Sequence, residues 1–548
     1  MFMRKKRLRL ISLVLLSITL VLSACSGGGK EKKDSDAAGD GKSLRLISIS
    51  DIPSMDSSLA TDATSFDVLN NTMEGLYKLD KHDKAIPGIA KGDPKKSDDG
   101  LTWTIELRDA EWSNGEKVTA NDFVYAWRKL VTPKTASEYA FIMFDIENAE
   151  DINKGKKKPE ELGVKAVDDK TLEIKLNREL PYYQELLTFG SFLPQNEKFV
   201  KEKGDKYGTT AKDTLYNGPF TLSDWKTEDN YTLKKNDKYW DKGNVKLDSV
   251  NFKVVKEPQT ALNMYNAGDV DEALIPAENV NKYKDDKAYN TELEARVYFM
   301  RMNQKDVPEF KNKDLRMAIA QSIDREQYVK SNLNNGSKPA KTLVPTEFVK
   351  DTKGKDYTKG VETENKFDKE SAKKHLEKAK KDLGKDEFTF ELLTYDQDNA
   401  KKDAEYFKEQ IEQNLPGVKI KVKQQPFKQK LKLESSMDYQ ISFGRWAPDY
   451  PDAMSFLELF TSDNVMNETG WKNKEYDKKI EDSGNKLLKK EQERVEAMQD
   501  AESLLLDEAT IIPIYQQGNA RLTQSYVNDI ERHKFGGDTD LKHASKQK

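Results

Sequence analysis

The chain reads as an α/β protein with mixed sheets flanked by helices, and two observations predict that class. In its second half, "FTFELLTY" (Phe388–Tyr395) and "VKIKVKQQPF" (Val418–Phe427) read as strands on either side of a helical stretch containing "AEYFKEQIEQNL". Period-two and helical-period segments also alternate along the whole chain, with no repeat of fixed length.

The elements follow in order. Residues 1–24 carry five cations, Arg4 to Arg9, and then an apolar run from Ile11 to Leu22 that is too short to span a bilayer as a stable helix. This is a secretory leader ending in "LSAC", with small residues directly before the only cysteine, Cys25. Residues 25–42 hold no large apolar side chain and read as a flexible, solvated tether. The folded part is expected to begin near Ser43. "LTWTIELR" (Leu101–Arg108) alternates like a half-buried strand and is followed by a turn at Asn114-Gly115. "ANDFVYAWRKLV" then puts Phe123, Trp127, Leu130 and Val131 on one helical face, with Thr119 as N-cap and Asp122 three residues on. Leu315, Ile319 and Ile323 form a second stripe. Ala372, Leu376, Ala379 and Leu383 form a third, stopped by Gly384, and Val495, Met498, Ala501 and Leu505 a fourth, before the strand-like "IIPIY".

Composition bounds the function. The 548 residues exceed what one core usually serves, and 36% hydrophobic with 34% charged residues allows real cores under a densely charged surface. Mean hydropathy is −0.84. Net charge is −4, and loss of residues 1–24, which hold five cations and no acids, takes it to about −9. A chain of that sign makes a poor general nucleic-acid binder, because phosphate binding needs clustered Lys and Arg. Runs such as "KKHLEKAKKDLGK" interleave both signs, as solvated helix faces do. With Cys25 as the sole thiol, no disulfide is possible within the chain. Four histidines occur, none paired at metal-ligand spacing, so no metal or cofactor is expected. The chain shows no G-x-S-x-G, P-loop or G-x-G-x-x-G motif and no spacing that singles out an acid pair, and it is read as no enzyme.

"DAEWSNGEKVTANDFVYAWRKLVTPKTASEYA" (Asp109–Ala140) resembles the extracellular oligopeptide-binding lipoproteins of peptide-importing ABC transporters. "NNTMEGLYKLD", "ELGVKAVDDKTLEIKL", "YNGPFTLSDWK", "LKKNDKYWD", "AIAQSIDREQYV", "GRWAPDYPDAMSFLELF" and "IIPIYQQGNARL" extend the resemblance from Leu44 to about Leu522, while the tail "HKFGGDTDLKHASKQK" departs from the family's usual close. The resemblance implies a two-lobed periplasmic-binding-protein fold of type II, in its large oligopeptide-binding subclass, with an extra domain. Lobe I would combine 43–73, 195–295 and 519–548, domain II would cover 74–194, and lobe III 296–518. Cys25 would carry diacylglycerol in a lipobox, anchoring a monomer to the extracellular face of a Gram-positive membrane. There it would deliver oligopeptides to permease subunits driven by cytoplasmic ATPases.

The same resemblance implies the site. Asp449, in a W-x-x-D-Y segment with Trp446 and Tyr450, would pair with the peptide's α-amino group. One fixed carboxylate then recognises every free N-terminus without reading side chains. Thr61–Ala63 and Gly444, Arg445 and Trp446 would pair with the peptide backbone as an added strand. Tyr139 would close over the peptide and Phe427 would line a side-chain pocket. For Asp449 the alternative is a turn residue, and Asp452 is the expected cap of "SFLELF". Relatives that prefer short peptides carry basic residues before the tryptophan. Here Glu434 and Phe443 stand at those places, which points to longer or variable peptides. A selective pheromone receptor, a surface hydrolase and a relative binding a non-peptide ligand are the competing functions.

Overall fold

The computed structural model describes residues 42–547. The leader 1–24, Cys25 and the tether through residue 41 lie outside the described residues, so the expected lipidation does too. Among the described residues no helix is long and apolar enough to cross a membrane.

Most sequence periodicities become elements where expected. The strand Thr102–Glu106 buries Trp103 and Ile105 and pairs antiparallel with Thr171–Lys175, within a four-stranded sheet completed by Lys95–Lys96 and Val164–Asp168. The helix Ala120–Val131 opens with the Asp122 carboxylate accepting the Thr119 backbone N–H at 2.8 Å, and its face Phe123, Trp127, Leu130, Val131 is fully buried. The helix Lys369–Leu383 ends at Gly384, whose φ of +64° a side chain would resist.

Two boundaries differ. Ile323 is buried but lies past the helix Lys313–Gln321. The Ser322 hydroxyl donates to the Ile319 carbonyl at 2.8 Å, and Asp324 caps the next helix by accepting from the Gln327 N–H. The strand from Val418 stops at Gln425 instead of Phe427. Pro426 has no N–H for the ladder, and Phe427 opens the helix Phe427–Ser435.

A second four-stranded sheet runs in the order Ser43–Ser48, Ser249–Val254, Asn230–Lys235, Phe220–Lys226, its first pair parallel. The largest sheet places Glu272–Leu274 beside Ile511–Thr523, then Tyr289–Met302, Ile441–Trp446, Phe388–Tyr395 and Val418–Gln425. Phe388–Tyr395 and Val418–Gln425 are parallel and joined by the helix Asp398–Asn414, the crossover that their sequence spacing predicts.

Tyr289–Met302 and Ile511–Thr523 form a long antiparallel ribbon whose register shifts between Leu293 and Val297. On one side of the shift Ala520 and Leu522 join the core of Leu262, Tyr265 and Val270. On the other, Met300, Met302, Ile512 and Ile514 join the core of Phe390, Phe407 and Ile441. One ribbon feeding two separate cores makes a two-lobed molecule with the ribbon as a connection between them.

Candidate functional site

The site grows from the strand Ile441–Trp446. One edge pairs with Tyr289–Met302, with Phe299 opposite Gly444 and Val297 opposite Trp446. The other edge pairs with Phe388–Tyr395 only at Leu392↔Ile441 and Leu393↔Ser442. From Phe443 to Trp446 that edge has no ladder partner among the described residues. Its end, Arg445 and Trp446, borders a cavity of about 130 Å³ that Thr61, Ala63, Tyr139, Phe427 and Asp449 also help to line.

Beyond the strand the chain turns back on itself. Trp446 Nε1 donates to the Ser455 carbonyl at 3.0 Å, and the Asp449 N–H donates to Ser455 Oγ at 2.7 Å. These bonds fix the backbone on both sides of Pro448 and leave the Asp449 carboxylate to the cavity. Its Oδ1 accepts the Tyr139 hydroxyl at 3.1 Å, while Oδ2 is buried with no hydrogen-bond partner. The residue is 5% exposed. Burial pushes its pKa well above the usual carboxylate value; the Tyr139 hydroxyl opposes that rise and Glu458 adds to it. The Tyr139 ring lies nearly parallel to Trp446 at 6.3 Å and is gripped by Phe66, Phe141 and Phe189.

Asp452 does different work. Its Oδ1 accepts the Met454 N–H at 2.9 Å, beside the first turn of Met454–Leu457. Both oxygens also hold Arg494, at 2.7 and 2.8 Å. The cap-like role was expected; the buried ion pair was not.

The remaining expected residues divide. Thr61 and Ala63 flank Asp62, the N-cap of Ala63–Thr72, whose carboxylate takes Ser65 N–H and Oγ and is pushed up to about 6 by burial. The Phe427 ring lies 5.6 Å from Tyr395. Gly444 does not line the cavity. A Cβ there would meet Arg301 and Lys430 nitrogens at 3.1 Å, so the glycine makes room for a charged cluster whose Arg301, Glu434 and Glu468 themselves line the cavity. Phe443 is likewise buried, against Phe407.

Sequence reasoning missed that cluster and the tail. Arg301 pairs with Glu434 at 3.0 Å and with Glu468, and Lys430 reaches Glu434 at 2.6 Å. Cations therefore do stand near Glu434, brought from other elements and neutralised by carboxylates. Arg296 lies between Glu294 at 2.8 Å and Asp538 at 2.5 Å. The tail that departs from the family pattern is part of the wall: the Gly536 N–H donates to the Pro448 carbonyl at 3.1 Å. A side chain at Gly537 would collide with Asn70, so the Gly536-Gly537 pair was the readable signal for this close approach.

Among the described residues, Glu531, His533 and Asp540 could present three metal ligands within 4.8 Å of one another. Lys78 already holds Asp540 at 3.1 Å and Asp83 lies 3.1 Å from His533 Nδ1, so two of the three are engaged by other side chains.

Four likenesses bear on this arrangement. Residues 84–468 match the middle region of the bacterial extracellular solute-binding proteins, family 5. The dipeptide-binding protein DppE of Bacillus subtilis is 35% identical over 97% of both chains. The substrate-binding domain of an oligopeptide ABC transporter from Bacillus anthracis superposes with a TM-score of 0.90 at 46% identity, covering 92% of this chain and 99% of that one. The peptide-binding pheromone receptor PrgZ superposes at 0.88 with 37% identity, covering 92% and 100%.

Proposed function

The chain belongs to the bacterial extracellular solute-binding proteins of family 5, and from that premise we propose that it captures oligopeptides between its lobes and delivers them to an ABC permease. One observation carries the reading: the buried, half-unpartnered Asp449 carboxylate beside an open strand edge. A desolvated acid of this kind calls for a cation, and a peptide's α-ammonium supplies one at a fixed place relative to its backbone. The free edge Phe443–Trp446 offers backbone groups to the following peptide bonds, and recognition of that kind ignores most side chains. Tyr139, Phe427 and Trp446 enclose the peptide with aromatic surface, and no bond is made or broken.

The lobes in this reading are 43–73 with 195–295 and 519–548, and 296–518, with domain II at 74–194. The sheet compositions and the ribbon crossing near 295 and 518 support those limits. Residues 1–24 act as the leader and Cys25 carries the lipid anchor on the extracellular face, a reading that rests on the sequence. The permease and its ATPases are the partners, and the binding protein acts as a monomer.

Native mass spectrometry of the purified protein, followed by sequencing of released ligands, tests the reading. A ladder of mixed peptides supports it. A protein that neither carries nor takes up peptides refutes it. A second reading, a receptor for one peptide signal, is favoured by the likeness to PrgZ; a single retained peptide would select it.

A further inference from the structure

Among the described residues, three arginines line the Asp449 cavity, and two are spoken for. Arg296 lies between Glu294 and Asp538, and Arg301 between Glu434 and Glu468. Arg445 differs. Its Nη1 donates to the Tyr298 hydroxyl at 2.7 Å, and its guanidinium carbon lies 5.7 and 5.9 Å from the ring centroids of Tyr298 and Tyr395. Among the described residues no carboxylate oxygen comes within 4.0 Å of it. Asp62 reaches Arg445 only through space, and the Asp62 carboxylate is committed to Ser65.

The position of Arg445 matters as much as its lack of a carboxylate partner. It lines both the Asp449 cavity and a larger neighbour of about 250 Å³, at the place where Ala63, Ala447 and Asp538 border both. A guanidinium has five N–H donors in a planar fork, and here one is used. The two tyrosine rings hold the group in place without neutralising it. A half-buried cation with spare, coplanar donors is the complement of a carboxylate.

Resting on the peptide reading above, we infer that Arg445 is a subsite for a carboxylate of the bound peptide. A peptide held by its amine at Asp449 and laid along Phe443–Trp446 passes Arg445 within its first few residues. The carboxylate comes from an Asp or Glu side chain there, or from the C-terminus of a peptide short enough to end there. The ligand class is therefore narrower than peptides at large: acidic near the N-terminus, or of one short length.

Titration calorimetry tests this with free-amine alanine peptides of two to five residues. Each carries Glu or its isostere Gln at one position in turn, with a free or amidated C-terminus. The unaltered protein, Arg445→Gln and Arg445→Lys are compared, and the readout is the affinity ratio within each protein, which cancels any general loss of binding. At one position the Glu peptide is expected to bind about tenfold tighter than the Gln peptide to the unaltered protein. Arg445→Gln brings that ratio to about one, and Arg445→Lys to between the two, since an ammonium keeps the charge but loses the fork. If instead amidation weakens binding at a single length, and Arg445→Gln removes that penalty, the carboxylate is the C-terminus. Ratios unchanged by Arg445→Gln at every position and length, with the peptides still bound, overturn the subsite alone. If no free-amine peptide binds the unaltered protein, the peptide reading falls and the subsite with it.

Discussion

Tyr139 donates its hydroxyl to Asp449 Oδ1 at 3.1 Å across 310 residues of chain, and Oδ2 of the same carboxylate is left with no partner. The bond ties the segment after the helix Ala120–Val131 to the turn after the strand Ile441–Trp446. The rings of Tyr182 and Tyr450, stacked at 4.9 Å, join the same turn to a third segment, at the start of the short helix Tyr183–Leu186. The cleft is thus clasped around an acid whose hydrogen-bonding capacity is half used. Closing a clasp on an unpaired charge is costly, so such an acid stays protonated or takes a cation.

Asp449→Asn keeps the shape and removes the charge. Peptides with a free amine should bind at least a hundredfold more weakly, the scale for breaking a buried charge pair, about 3 kcal/mol. N-acetylated peptides should bind the two proteins alike. Calorimetry with both peptide sets decides, and equal losses would remove Asp449 from the amine site.

Below the raised pKa of Asp449, binding should also release a proton. Burial raises the pKa of the Asp449 carboxyl, whereas pairing with an ammonium requires the carboxylate. Protons therefore compete with the peptide, and affinity falls as pH is lowered through the raised pKa. Calorimetry in buffers of different ionisation enthalpy measures the released proton directly. Asp449→Asn should lose that buffer dependence.

Asp452 is expected to act on stability and leave ligand choice alone. Its oxygens hold Arg494 at 2.7 and 2.8 Å, with side-chain exposures of 11% and 9%. Asp452→Ala strands the buried guanidinium and should cost about 3 kcal/mol. Asp452→Ala with Arg494→Met should cost less than Asp452→Ala alone. Denaturant unfolding of the three variants measures both differences, and a larger loss in the double variant would contradict the pairing.

Glu502 gives the fold a pH dependence. Its Oε1 accepts the Leu343 and Val344 N–H groups, and burial pushes its pKa up to about 7 against the opposing effect of those N–H groups and the nearby Tyr357 hydroxyl. The folded state keeps a proton that the unfolded chain gives up near its ordinary pKa. The stability from this group is full below about pH 4.5 and is lost as pH rises to about 7. The slope is about 1.4 kcal/mol per pH unit at its steepest. Glu502→Gln should flatten that part of the melting profile between pH 5 and 7, and an unchanged profile would count against the assignment.

The sequence by itself determined the elements whose reasons are local. The helix Ala120–Val131 with Asp122 at its start, the stop at Gly384, and the pairing-ready strands Phe388–Tyr395 and Val418–Gln425 follow from periodicity and caps acting within a few residues. Family resemblance picked Asp449 from an acid-rich chain, and the structure gives that residue and Asp452 their different surroundings. Only the tertiary structure decided the rest of the cleft. Arg296 and Arg301 sit in a strand that reads as ordinary, and their meaning comes from Asp538, Glu434 and Glu468, which other segments deliver. Phe427 left its expected strand because Pro426 breaks the ladder, and Gly444 makes room for a charged cluster that is part of the cavity wall. The physical reason is range. Caps and stripes are settled by neighbours in the chain, whereas a buried charge has no defined partner until strands hundreds of residues apart are paired and the ribbon 289–302/511–523 has set both lobes against one cavity.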